Sequence, residues 1–174
     1  MVEGIVFLGL GDNVILRRVS PLIEDRESDF QEVLTLVRGA DLVLSNCEMV
    51  LSARGVPAEK AVVVRADPSV AEDLARMGMN IVSISHNHAL DFGPEAFLDT
   101  MQALTRNNIR YFGGGKNLEE AFAPLEVEVK GLRVAFFGFS TLLPMGYAAG
   151  QGRIGIAPLR VNTAYEINVI PLQE

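Results

Sequence analysis

Both histidines of the chain, an asparagine and a carboxylate fall within the string His86-Asn87-His88-Ala89-Leu90-Asp91, which Ser85 joins to the largely apolar run Ile81-Val82-Ser83-Ile84. Imidazole, amide oxygen and carboxylate are side-chain types that hold divalent metals, and a strand end is a rigid support for them. Two earlier apolar runs also empty into polar residues: Ile5 to Leu10 into Gly11-Asp12, and Asp41 to Leu44 into Asn46-Cys47-Glu48. Laid side by side as parallel strands, the three runs bring Asp12, Asn46, Glu48, His86, Asn87, His88 and Asp91 to one edge, the place where open α/β sheets bind ligands. That donor set suits a borderline or hard divalent ion such as manganese, zinc, iron or magnesium.

Each of these residues also has a plainer reading. Asp12 after a glycine can serve only as a turn residue or helix N-cap. Asn46 can satisfy loop backbone groups, and Cys47, with no base to activate it, reads as a small buried hydrophobe. The two imidazoles can hydrogen-bond backbone carbonyls, and Asp91 either orients His88 or caps the helix that starts near Pro94. Gly113 to Lys116 precedes a short helix but lacks the Gly-Lys-Ser/Thr ending of a phosphate loop, so it reads as a tight turn. Arg17 and Arg18 read as a solvated surface pair, with steering of an anionic substrate as the alternative.

The elements that must position these groups follow from periodicity. Ile5–Leu10, Asp41–Leu44 and Asn80–Ile84 read as buried parallel strands. Between them, Phe30, Val33, Leu34 and Val37 have helical spacing ahead of Gly39, and Val70, Leu74 and Met77 do so ahead of Gly78. Pro94 to Thr105 reads as a helix with Pro94 in its first turn, Tyr111-Phe112 as a short strand or turn, and Leu118 to Phe122 as a short helix. Pro124–Val129 and Leu132–Phe139 read as two strands about Lys130-Gly131, the second of them buried. A looser, glycine-rich stretch follows Ser140, and Val161 to Leu172 is expected to form one more strand. Alternating strands and helices predict an α/β fold, a mostly parallel sheet with helical cover.

At 174 residues and 49% hydrophobic content the chain is one domain long and has core enough to fold without disulfides or a structural metal. A single cysteine excludes an intrachain disulfide, and two histidines with it are too few for a zinc-finger framework. The net charge of -7 argues against a nucleic-acid or anionic-membrane surface. No apolar run reaches the roughly 20 residues that span a bilayer, and the amino terminus lacks a signal-type pattern.

Taken together, Gly11-Asp12, Asn46-Cys47-Glu48 and His86 to Gly93, with Asp99-Thr100, Gly113-Gly114-Gly115, Ala121 and Pro124, resemble the CapA-like capsule (poly-γ-glutamate) biosynthesis family, grouped with the calcineurin-like metallophosphoesterases. The resemblance covers nearly the whole chain. It implies a single domain over 1–174 with the first half of a metallophosphoesterase-like α/β sandwich, truncated at its carboxyl end. It further implies a divalent, dinuclear metal centre with Asp12, Glu48 (at the bridging position) and Asn87 as ligands, and His88 as a catalytic acid or oxyanion contact. The implied substrate is an anionic or γ-glutamyl small molecule or polymer, with self-association open and a family link to the cell envelope. Cys47, His86 and Phe92 depart from the family's leucine, asparagine and tyrosine. The later histidines that complete the family's metal shell have no counterpart after Asp91, so the competing expectation is a non-catalytic binding or assembly module with an incomplete site.

Overall fold

A computed structural model describes residues 4–161. The elements in chain order are β1 (Phe7–Asn13), α1 (Ser20–Glu24), α2 (Phe30–Arg38), β2 (Leu42–Cys47), β3 (Val50–Leu51), β4 (Arg65–Ala66), α3 (Val70–Met77), β5 (Ile81–Ser83), α4 (Gly93–Arg106), β6 (Arg110–Phe112), β7 (Gly114–Gly115), α5 (Leu118–Phe122), β8 (Leu125–Val129), β9 (Leu132–Phe136) and β10 (Gly155–Ile156). Four of the strands form the central sheet, in the order β1-β2-β5-β6, and every pairing in it is parallel. The α/β architecture is therefore the one that strand and helix alternation predicts. The strand expected over Val161 to Leu172 lies almost wholly outside the described residues.

Period-2 alternation sorts the sheet's side chains between two cores. Val43 and Val82 join Leu34 and Val37 of α2, Leu74 and Met77 of α3, and Phe97, Met101 and Leu104 of α4 in the main core. Leu42 and Ile81, one residue away, pack instead with Phe112, Val127 and Phe136. Helices thus cover one face, and the antiparallel β8–β9 ribbon touches the other. The methionines Met77, Met79 and Met101 are core, as their sequence context suggests.

Three expectations need correction. β9 is not buried: only Phe136 at its end is, because the ribbon is a separate two-stranded sheet whose outer side meets solvent. Gly113 to Lys116 is not a tight turn but carries β7, paired antiparallel with β10, and the Lys116 N–H donates to Glu120, so that amide is already taken. Arg18, though partly exposed, is not a free surface cation available to steer a substrate. It forms a bidentate pair with Asp73, at 2.8 and 2.7 Å, and Asp73 is fully buried on α3. Burial opposes the charge on Asp73, but Arg18 and the backbone N–H groups of Val19 and Ser20 outweigh it and hold the carboxyl below the usual range. The same contacts fix the start of α1, an element the apolar periodicity does not reveal.

Two of the residues that carry the family resemblance work in this framework. Thr100 Oγ1 accepts the Leu51 N–H at 2.9 Å, tying β3 to α4. Its neighbour Asp99 accepts from Ser52 and, bidentately, from Arg54.

Candidate metal and acid-base site

The sheet delivers the polar residues to one edge through its register. Asp12 lies opposite Asn46, and Asn46 opposite Ser83. Between Gly9 and Asp12 the β1–β2 ladder shifts register, with one more residue on β1 than on β2. Such a bulge turns the side chains beyond it. Gly11 sits in it at φ +67°, a left-handed value that glycine tolerates best. The Gly-Asp pair is thus a backbone device as well as a ligand type: the bulge aims Asp12 sideways, and Asn46 Nδ2 donates to Asp12 Oδ1 at 2.9 Å.

Glu48 follows β2, with its N–H donating to the Asn13 carbonyl at 3.0 Å. Its carboxyl is pushed above the ordinary range, first by burial and then by the charge and hydrogen bond of Asp12. His88 and Lys60 pull in the opposite direction, which places both cationic-type groups within electrostatic reach. Asp12 is exposed, while Glu48, Asn87 and His88 are half-buried, so the edge is open to solvent.

His88 is held by its partner. Its Nδ1 lies 2.7 Å from Asp91 Oδ2, and Asp91 is fully buried. Asp91 therefore orients His88 and does not cap α4, whose N-cap residue is Phe92 without a side-chain cap. His86 sits differently: it is buried, its Nδ1 accepts the His88 N–H at 3.2 Å, and it also hydrogen-bonds the Cys47 backbone. Burial drives its pKa down to about 4, so the ring is neutral and structural at ordinary pH. Burial also pushes the Cys47 thiol up to about 12, which removes it as a nucleophile or thiolate ligand near neutrality.

The donor set fits a cation in part. Asp12 and Glu48 are close enough for the charge of Asp12 to raise the Glu48 carboxyl, and an ion between them would relieve that repulsion. Beside them, Asn46 Oδ1 is buried without a hydrogen-bond partner, as are Asn13 Nδ2 and Ser85 Oγ at the same strand ends. An orphaned acceptor beside two acids is what an oxygen-coordinated metal would satisfy. Against this, no group of three or more His, Cys, Asp or Glu side chains converges in a metal-holding arrangement among the described residues. Asn87 sits next to His88, and its backbone carbonyl accepts from Lys60 Nζ at 2.7 Å.

Sequence reading missed Asn13, Lys60 and Tyr147. Lys60 and Tyr147 come from irregular segments far from the strand ends in sequence, with no spacing to link them to Asp91.

A profile of the family described as bacterial capsule synthesis protein PGA_cap matches residues 6–164. An uncharacterized protein of Sinorhizobium fredii (strain NBRC 101917 / NGR234) is 30% identical over 167 residues, 92% of this chain and 35% of that protein. The PGA biosynthesis protein CapA of Bacillus subtilis (strain 168) is 26% identical over 154 residues, 86% of this chain and 40% of that protein. A probable polyglutamine synthesis accessory protein of Mycobacterium tuberculosis (strain ATCC 25618 / H37Rv) is 29% identical over 147 residues, 80% of this chain and 39% of that protein. The chain thus spans between 35% and 40% of the length of these curated relatives.

Proposed function

The chain belongs to the bacterial capsule synthesis PGA_cap family, and from that premise we propose that its strand-end edge is part of a divalent-metal-dependent hydrolytic or phosphoryl-transfer centre serving polyglutamate capsule synthesis. The observation that carries the reading is the orphaned, buried Asn46 Oδ1, whose amide nitrogen holds Asp12 at 2.9 Å, beside Glu48, whose carboxyl is raised by burial and by the charge of Asp12. Asp12, Glu48 and Asn87 are the residues that would hold the metal, with manganese, zinc, iron or magnesium as the candidates. A divalent ion there supplies polarisation of the scissile group and a bound water of lowered pKa.

The chain's own part is proton handling and orientation. With Nδ1 committed to Asp91, His88 exchanges protons at Nε2. It takes one up, Asp91 balances the imidazolium charge, and the ring then donates to a leaving oxygen or nitrogen. The substrate class is a phosphate ester, an acyl phosphate or a γ-glutamyl amide.

Calorimetry with manganese and zinc, on the wild-type chain and on Asp12→Ala and Asn87→Ala, tests the reading. Stoichiometric binding that weakens about tenfold or more in both variants supports it. Binding indifferent to either substitution sinks it. A second reading, a binding or assembly module with an incomplete site, draws on the lack, among the described residues, of three or more His, Cys, Asp or Glu grouped so as to hold a metal. Tight dimerisation in metal-free sedimentation runs, with no metal bound, would favour that module.

A further inference from the structure

The buried Asp91 carboxylate gathers donors from its own loop, from the segment between β3 and β4, and from the loop that carries Tyr147. Oδ1 receives Lys60 Nζ and the Tyr147 hydroxyl, the latter at 3.0 Å. Oδ2 receives the Val64 N–H and His88 Nδ1, each at 2.7 Å. Asp91 has no exposed surface, and its own carbonyl accepts the Ala58 N–H. Lys60 Nζ also stands 5.4 Å from the centre of the Tyr147 ring. An ionised carboxylate offers about four acceptor positions, and here four donors occupy them.

That accounting fixes protons. Lysine and a backbone amide can only donate, and the tyrosine hydroxyl has an acceptor-only partner, so it donates as well. A carboxylate receiving three such donors stays ionised, and the fourth contact, His88 Nδ1, must then carry its proton. Nε2 is left with the lone pair. His86 has the opposite arrangement, because its Nδ1 accepts the His88 N–H and its proton therefore sits on Nε2.

We propose that Lys60 and Tyr147 are positioning residues that set the tautomer of His88, by keeping Asp91 an ionised, fully occupied acceptor. Their service to catalysis rests on the reading of His88 as the site's acid-base group; the tautomer itself does not. Without the ammonium, a carboxylate with no exposure is strongly disfavoured and takes up a proton. Lys60 and Tyr147 hold Oδ1, so their loss frees that oxygen and lets the carboxyl turn; once a protonated oxygen faces His88 Nδ1, the ring accepts there and its own proton moves to Nε2. The lone pair needed at the site is lost although His88 and Asp91 are both still present.

The test is long-range proton–nitrogen NMR of the metal-free chain, followed upward in pH and read where the ring signals no longer move. Signals are assigned by their loss in His88→Asn. Wild type is expected to show two opposite patterns, Nδ1–H for His88 and Nε2–H for His86. Lys60→Met should make Nε2–H the major form of His88, and Tyr147→Phe should raise its population to a smaller extent. Retained Nδ1–H in both variants, or Nε2–H at His88 in wild type, overturns the proposal. A change in only one variant assigns the role to that residue and overturns it for the other. If Lys60→Met does not fold, Tyr147→Phe decides. Because the readout needs no metal, a chain that fails to bind manganese refutes the proposed function and leaves this result standing.

Discussion

At the scale of single residues, the two histidines show how environment separates identical side chains. His88 is half-buried against a carboxylate, whereas His86 lies in the interior with both ring nitrogens engaged by backbone groups. Its folded pKa, lowered to about 4 by burial, lies below the unfolded value, so the unfolded chain binds the extra proton between those two pH values. Stability is therefore full above the unfolded value and declines as pH falls from about 6.5 toward 4, by about 3 kcal/mol in all. Chemical denaturation of the metal-free chain at steps across that window should show the decline, and His86→Asn should flatten it. An equal slope in the variant would refute the assignment. The adjacency of His86, Asn87 and His88 was legible in the sequence. Their division of labour was not, because burial is set by the elements packed around them.

At the scale of elements, close packing and one buried ion pair hold the frame of the site. Removing the Asp73 carboxylate in Asp73→Ala strands the N–H groups of Val19 and Ser20 together with Arg18, at a cost of about 2–4 kcal/mol after allowing for Arg18's partial exposure. The stabilisation from the depressed Asp73 pKa is present above the unfolded value of about 3.9 and is lost as pH falls below it, so the penalty should shrink in acid. Urea melts at neutral and acid pH would check both the size and the trend. Gly55 is a second case. It has φ +91°, and a Cβ there would run into the Phe92 carbonyl. Gly55→Ala should cost about 2 kcal/mol or more and lift the segment bearing Lys60 away from Asp91, read as a lower melting temperature together with a changed His88 tautomer. A variant as stable as wild type would show that this approach is not required. The helices α2, α3 and α4 could be read from spacing and glycine stops. The bulge at Gly11 and the approach at Gly55 could not, since each depends on a partner strand or loop that local pattern does not name.

At the scale of the whole molecule, a net charge of -7 suits the divalent cation proposed for the strand-end edge, and if that edge holds one, its binding should stabilise the fold. At a concentration of about 100 times its dissociation constant, such a ligand adds about 2.7 kcal/mol, or about 5–10 °C in melting temperature for a chain of this size. Thermal melts with manganese should show that rise in wild type and lose it in Asp12→Ala; an unchanged wild-type melt would remove the metal from the account. Among the described residues no helix is long and apolar enough to cross a membrane, in keeping with the absence of a long apolar run. The sequence by itself determined the α/β class, the parallel strands and the family, because period-2 and 3.6-residue patterns and short polar strings are local properties of the chain. Only the tertiary structure decided that β9 faces solvent, that Arg18 serves Asp73, and that Lys60 and Tyr147 meet at Asp91. Those outcomes depend on which distant segments share a surface, and burial and hydrogen-bond accounting exist only once that surface has formed.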